Sequence, residues 1–346
     1  MNRFVAQVRE LANKIGQIQN RKITVAARIF DQERYNLKLG LDVKSWLKEK
    51  NIDIVVGQIT EFLFDTGVVN IRWLANEASR VGSAAYLRPS RRNRVYDERT
   101  AVPSIEMYRA LRQTIQNQGC AGLYLGNLPW PFEEKEYQIL REMAFPEAHL
   151  RSDKIYLLQP REPGLVFEEL LDYNSGYPVL PRQPGHEITD PPPRQLPILL
   201  KEGKTVSIKM VISDHLESAR KDGEMRRPEL TIRFAFFCVE DQIEISFNGQ
   251  LLSLDTAEIT DERALSMATK PGKTTPVEAP LGISAHWFRF RLNPELLVEG
   301  ENRLEVKILK MPKTTQFDRS INGVEIRTRY KNFVRPEGLE ISRVEP

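Results

Sequence analysis

The hydrophobic rhythm of this chain changes once, across a proline-rich stretch, and that change limits the possible folds more than any single motif does. From residue 2 to about 159, segments with helical spacing alternate with short unbroken apolar runs. The first helix, spanning 3–18, sets Phe4, Val5, Val8, Leu11, Ile15 and Ile18 at helical intervals with charges between them. The strand ITVAARIF (23–30) follows it. A helix at 43–49, started by an Asp cap, leads to IDIVVG (52–57), a longer one at 68–81 leads to AAYLR (84–88), and one opened by Ser104 leads to AGLYLG (121–126). These strands are apolar at nearly every position, as strands covered on both faces must be. The helices between them supply the crossovers that parallel neighbours need. The expectation is an α/β unit built on a parallel sheet.

From 159 to 200 the chain is studded with proline and glycine, with QPREPGLV and then SGYPVLPRQPGHEITDPPPRQLP. Proline fixes φ and removes a backbone donor, so this stretch reads as a semi-rigid surface connector, with prolines 191–193 as its clearest mark. Beyond it TVSIKMVISD, LTIRFAFFCV, QIEISFNGQLL, HWFRFRLN, NRLEVKILK and VEIRTRY mostly alternate apolar with polar residues. Period-two alternation rich in β-branched and aromatic types predicts an antiparallel β-sandwich or jelly roll. Asn248-Gly249 predicts a two-residue type I′ hairpin turn, because both residues tolerate positive φ. The parity of Phe234, Phe236, Phe288 and Phe290 places most of the aromatic residues inside, with Trp287 and Phe237 on the opposite, outward parity. At roughly 100–200 residues per domain, 346 residues make two. The α/β unit takes 1–160, the connector 161–200 and the sandwich 201–346.

Composition narrows the function classes. Charged residues are 28% and hydrophobic ones 41% of the chain. No apolar run approaches the roughly 20 residues that span a bilayer, so no membrane partner is expected. The charges interrupting the first helix are unlike a signal-peptide core. The chain as written is therefore expected to be cytoplasmic, or extracytoplasmic if an N-terminal part is missing. Cys120 and Cys238 fall in separate strands, and His149, His186, His215 and His286 are scattered, which builds neither a disulfide framework nor a metal site. No glycine-rich phosphate motif follows any strand, so no cofactor is expected. A net charge of +3 spread along the chain does not point to nucleic acid.

Four strands are half of what a closed eight-stranded barrel needs. An open doubly wound sheet, a half barrel completed elsewhere, or a piece of a longer product would each account for them. The amphipathic first helix, the strand carrying Arg28 near its end, LGLDVKSWLKEKNIDIVVGQ (39–58), AAYLRP and CAGLYLGNLPW together resemble the second half of the glycosyl-hydrolase-like (β/α)8 barrels of bacteria. That resemblance spans about 1–160. SDKIYLL (152–158) matches the order of the family, and LNPELLVEGENRLEVKI (292–308) is similar to an edge of jelly-roll accessory domains in glycosidases. The resemblance implies a partial TIM-type barrel of four parallel strands, a jelly-roll-like sandwich after it, and carbohydrate as the partner.

Sites in such a barrel gather at the carboxyl ends of the strands. Those ends carry Arg28 and Asp31, Gln58 and Glu61, Arg88 and Arg91, and Asn127 and Trp130. Trp130 offers a flat face for a sugar ring, and Gln58 and Asn127 offer paired donor and acceptor groups. Glycosidases need two carboxyl groups, about 5–5.5 Å apart for retention and about 6.5–9.5 Å for inversion. The strand matching the family's seventh ends YLRPSRR, with Arg88 where an acid is expected, which leaves Glu61 and Asp65 as the candidate catalytic pair. The run RPSRRNRVYDER (88–99) concentrates five arginines that suit an acidic sugar or a phosphate, or form a hydrated loop. Two readings stand: a carbohydrate-active or carbohydrate-binding protein, and a non-catalytic interaction protein whose sandwich binds while its α/β half dimerises.

Overall fold

The computed structural model describes residues 1–58, 66–67, 69–89, 103–126, 128, 131–145, 147, 150–159, 195–238, 240–261, 285–312 and 318–331. Its first unit runs α1 (Asn2–Ile18), β1 (Ala26–Phe30), α2 (Glu33–Lys38), α3 (Val43–Lys48), β2 (Ile54–Gln58), α4 (Arg72–Val81), β3 (Ala84–Arg88), α5 (Ile105–Gln116), β4 (Gly122–Leu123) and α6 (Glu134–Ala144). The strands form one parallel sheet in the order β1-β2-β3-β4, with Arg28 beside Val56, Phe30 beside Gln58 and Gln58 beside Arg88. The sheet does not close into a barrel. One face, carrying Ile29, Val55, Ala85 and Leu87, packs on Leu74, Ala75, Met107, Leu111 and Ile115 of the helices. Local chemistry sets the boundaries. The Asp42 carboxylate caps α3, accepting from the Ser45 backbone N–H at 3.1 Å and from its hydroxyl at 2.7 Å. At α6 the Glu133 and Glu136 side chains close a capping box.

The second unit runs β6 (Ile198–Leu199), β7 (Thr205–Ile212), α7 (Leu216–Lys221), β8 (Glu229–Ala235), β9 (Gln242–Phe247), β10 (Gln250–Leu252), β11 (Glu258–Asp261), β12 (Ala285–Arg291), β13 (Gly300–Lys310) and β14 (Ser320–Thr328). Two antiparallel sheets result, ordered β10-β9-β13-β7 and β11-β12-β8-β14, and their inner faces share one core holding Ile208, Phe234, Ile245, Phe247, Phe288, Leu304 and Ile326. Asn248 and Gly249 take φ of 48° and 80°, the left-handed pair that a type I′ turn requires between β9 and β10. Beside that turn Asn302 is fully buried, its amide donating to the Val298 carbonyl at 2.8 Å while its oxygen accepts from Asn248 at 2.9 Å.

Parity misplaces two aromatics, Trp287 and Phe237. Trp287 is buried rather than outward, in a row with Arg233 and Gly323. Gly323 carries no side chain, and the Trp287 ring lies 3.8 Å from where a Cβ would stand. Phe237 is part-buried and edge-on to Phe288, with ring centroids 5.0 Å apart.

The strand β5 (Lys154–Leu158) lies before the proline-rich stretch, yet it pairs antiparallel along its length with β14 at the edge of the sandwich sheet. All five of its residues are buried. Tyr156 and Leu158 enter the sandwich core, and Ile155 and Leu157 enter the core of the parallel unit. One strand thus serves both.

Candidate functional site

Side chains alternate across a strand, so the register fixes which residues share the parallel sheet's second face. Arg28, Val56, Gln58, Tyr86 and Arg88 lie on it, opposite the helix-packed Ile29, Val55, Gly57, Ala85 and Leu87. Beyond β4 the pairing continues, with the Tyr124 N–H donating to the Leu87 carbonyl at 2.7 Å, which keeps Tyr124 on the same face as Gly122. A Cβ on Gly122 would stand 3.3 Å from the Tyr86 ring, so one edge of that ring lies against bare backbone. Arg88 Nε lies 3.0 Å from the corresponding point of Gly126, and the Tyr124 ring edge lies 3.2 Å from it. Arg28 and Tyr124 are exposed, and Gln58, Tyr86 and Arg88 are half-buried.

The electrostatics of this face are one-sided. Burial pushes the Arg88 guanidinium below its ordinary value, and the positive charge of Arg28 pushes the same way while Tyr124 opposes both. Arg88 Nε is buried and has no hydrogen-bond partner among the described residues. No ion pair joins either arginine to an acid among the described residues. Two cations on one face, with tyrosine rings and an amide beside them, form a surface that an anionic ring-bearing ligand would complement.

Of the expected site residues, the structure brings Arg28, Gln58 and Arg88 onto one face. Glu61, Asp65, Asn127, Trp130 and Arg91 lie outside the described residues. Asp31 is not part of the surface. It is buried, its backbone N–H donates to the Gln58 carbonyl at 2.9 Å, its carbonyl accepts from the Trp73 indole at 2.6 Å, and its carboxylate accepts from Gln32 at 3.1 Å. These bonds fix the turn after β1. Asn36 completes it by taking the Phe30 N–H and giving its amide to the Phe30 carbonyl, both at 2.9 Å. Tyr86 and Tyr124 are not among the strand-end candidates because they sit two residues before Arg88 and one residue beyond β4. Their shared parity with Arg88 was the available signal.

Cys120 is not a nucleophile here, since burial pushes its thiol up to about 12. Among the described residues no group of three or more His, Cys, Asp or Glu side chains could hold a metal ion, and no helix is long and apolar enough to cross a membrane.

No protein-family model and no curated protein matches the chain. Among solved structures, the chain is similar to a two-domain esterase active on acetylated mannans, co-crystallised with mannopentaose. That likeness has 11% identity and a TM-score of 0.23, covering 89% of this chain and 73% of the esterase. It is also similar to a β-porphyranase of glycoside hydrolase family 86 from the human gut bacterium Bacteroides plebeius, at 9% identity and a TM-score of 0.23, covering 89% of this chain and 62% of the enzyme. At that TM-score neither likeness bears on this chain's chemistry, which rests on its own side chains.

Proposed function

We propose that this protein binds carbohydrate on the Arg28–Arg88 face of its parallel sheet, and that the saccharide carries an acidic group. The reading treats the parallel unit as a partial glycosyl-hydrolase-like barrel and the antiparallel unit as a jelly-roll-like accessory module. One observation carries it: Arg28 and Arg88 share a face, Arg88 lies within the field of Arg28, and no acid is paired to either among the described residues. The two guanidinium groups would grip a carboxylate or sulfate, and Tyr86 and Tyr124 offer flat faces to a sugar ring. On this reading Trp130 and Asn127 are further sugar contacts, and Glu61 and Asp65 supply acid and base for any turnover.

The test is calorimetric titration of the full chain with uronate-containing and neutral oligosaccharides, beside a reducing-end assay of cleavage. Uronates should bind and neutral sugars should bind at least tenfold more weakly. Arg88→Ala should remove most of that difference, and any hydrolysis should fall in Glu61→Gln or Asp65→Asn. Equal binding of both sugar classes, or none of either, would end the reading.

A second reading has its own support, an apolar stripe on α1 exposed to solvent. It makes the α/β half a dimerising scaffold.

A further inference from the structure

The sandwich contains a second cationic surface, built from residues that the carbohydrate reading does not use. A cleft of about 630 Å³ opens between segment 225–227 and the corner after β12, lined by Met225, Arg226, Arg227, Arg291, Asn293 and Pro294. Both walls are fixed by backbone bonds. Met225 bridges to Tyr330, the Arg226 N–H donates to the Arg329 carbonyl at 2.8 Å, and the Leu292 N–H donates to the Pro228 carbonyl at 2.8 Å. Arg220, from α7, holds the corner by donating to the Pro294 carbonyl at 3.1 Å and to the Leu297 carbonyl. Asn293 caps the short 3-10 turn that follows, accepting from the Glu295 N–H at 3.2 Å.

Three arginines line this cleft, and no carboxylate lines it among the described residues. Arg226 gives one N–H to the Lys331 carbonyl at 3.1 Å. Arg227 and Arg291 have no ion pair or side-chain hydrogen bond among the described residues. Two neighbouring acids are committed elsewhere. Glu229, across the ladder from Arg291, bonds Arg329 at 3.1 Å, and Glu224 bonds Arg151 at 2.9 Å. Met225 and Pro294 add an apolar surface beside the charges. Guanidinium forks match the oxygens of tetrahedral oxyanions two at a time.

From this arrangement we infer a binding site for an organic sulfate or phosphate monoester. The ester oxyanion lies on Arg227 and Arg291 with support from Arg226, and the organic part rests against Met225 and Pro294. The site goes beyond the proposed function and shares no residue with it.

Calorimetric titration of the full chain at low ionic strength tests it, with 4-nitrophenyl sulfate, phenyl phosphate and inorganic sulfate as probes. At least one aryl ester should bind saturably with 1:1 stoichiometry and several-fold tighter than inorganic sulfate. Arg227→Ala/Arg291→Ala should weaken it at least tenfold, and Arg88→Ala should leave it unchanged, which separates this site from the sheet face. Whichever aryl ester binds tighter identifies the ester class. Absence of saturable binding, an unaffected double variant with native circular dichroism, or loss in Arg88→Ala would overturn the inference.

Discussion

Asp53 gathers three parts of the parallel unit onto one carboxylate. It accepts from Arg9 of α1, from Lys22 at 2.8 Å and from the Val25 N–H at 2.9 Å, just ahead of β2. Burial alone would raise its proton affinity. The bonds from Lys22, Arg9 and Val25 more than offset that and hold it at about 2, against an ordinary 3.8. A folded-state value depressed in this way contributes stability that is present above the ordinary value and lost as pH falls toward 2. Discounted for its partial exposure, the contribution is about 1–2 kcal/mol. Asp53→Asn should therefore be less stable than the parent by that amount in urea melts at pH 7, with the gap closing near pH 2. A gap that stays constant with pH would show that the charge does not matter. Nothing in the run IDIVVG distinguishes this aspartate from a solvated one, because its partners come from 28 to 44 residues away.

The helix α1 shows what an element reveals of itself and what it leaves open. Its apolar spacing was legible, and Ala12 and Gly16 are buried as an amphipathic helix requires, while the Trp46 indole of α3 donates to Asn2 at 2.7 Å. A single moment cannot say that the apolar residues exceed one face. Phe4, Leu11 and Ile18 remain 63%, 58% and 84% exposed, with Val8 and Ile15 half-buried between them. The steps from 4 to 8, 11, 15 and 18 alternate four and three, the interval of a coiled-coil seam, which an identical helix can match. Seventeen residues give a seam about 25 Å long, so self-association should be concentration-dependent. Sedimentation equilibrium should show a monomer–dimer equilibrium that Leu11→Ser abolishes. A monomer at the highest soluble concentration would remove the scaffold reading. The period-two strands of the sandwich were legible for the converse reason, since one face of each meets a core and the other meets water.

At the scale of the molecule the decisive element is β5, and it is where pattern reading runs out. KIYLL is apolar almost throughout, which suits a parallel strand under helices as well as an antiparallel strand covered on both sides, and periodicity cannot separate the two. The structure makes it the latter, with α5 over one face and the sandwich core over the other. Its first residue, Lys154, is fully buried and meets Asp214 at 2.8 Å, and that carboxylate also accepts from Tyr330 at 2.7 Å and Thr328 at 2.9 Å. Burial pushes the Lys154 ammonium below its ordinary value and Asp214 opposes it. Asp153 adds a second tie, bonding Arg329 at 3.1 Å and the Tyr330 N–H at 2.9 Å. A division of the chain at 160 therefore separates β5 in sequence from the sheet to which it is bonded. The two units should melt together in one calorimetric transition whose enthalpy matches its van't Hoff value. Asp214→Ala strands a buried cation and should cost about 3–5 kcal/mol, whereas Lys154→Met/Asp214→Leu removes both charges and should cost less than the single change. Two separate transitions, with only the sandwich transition shifted by Asp214→Ala, would mean that β5 is carried by the sandwich alone and that the parallel unit folds without it.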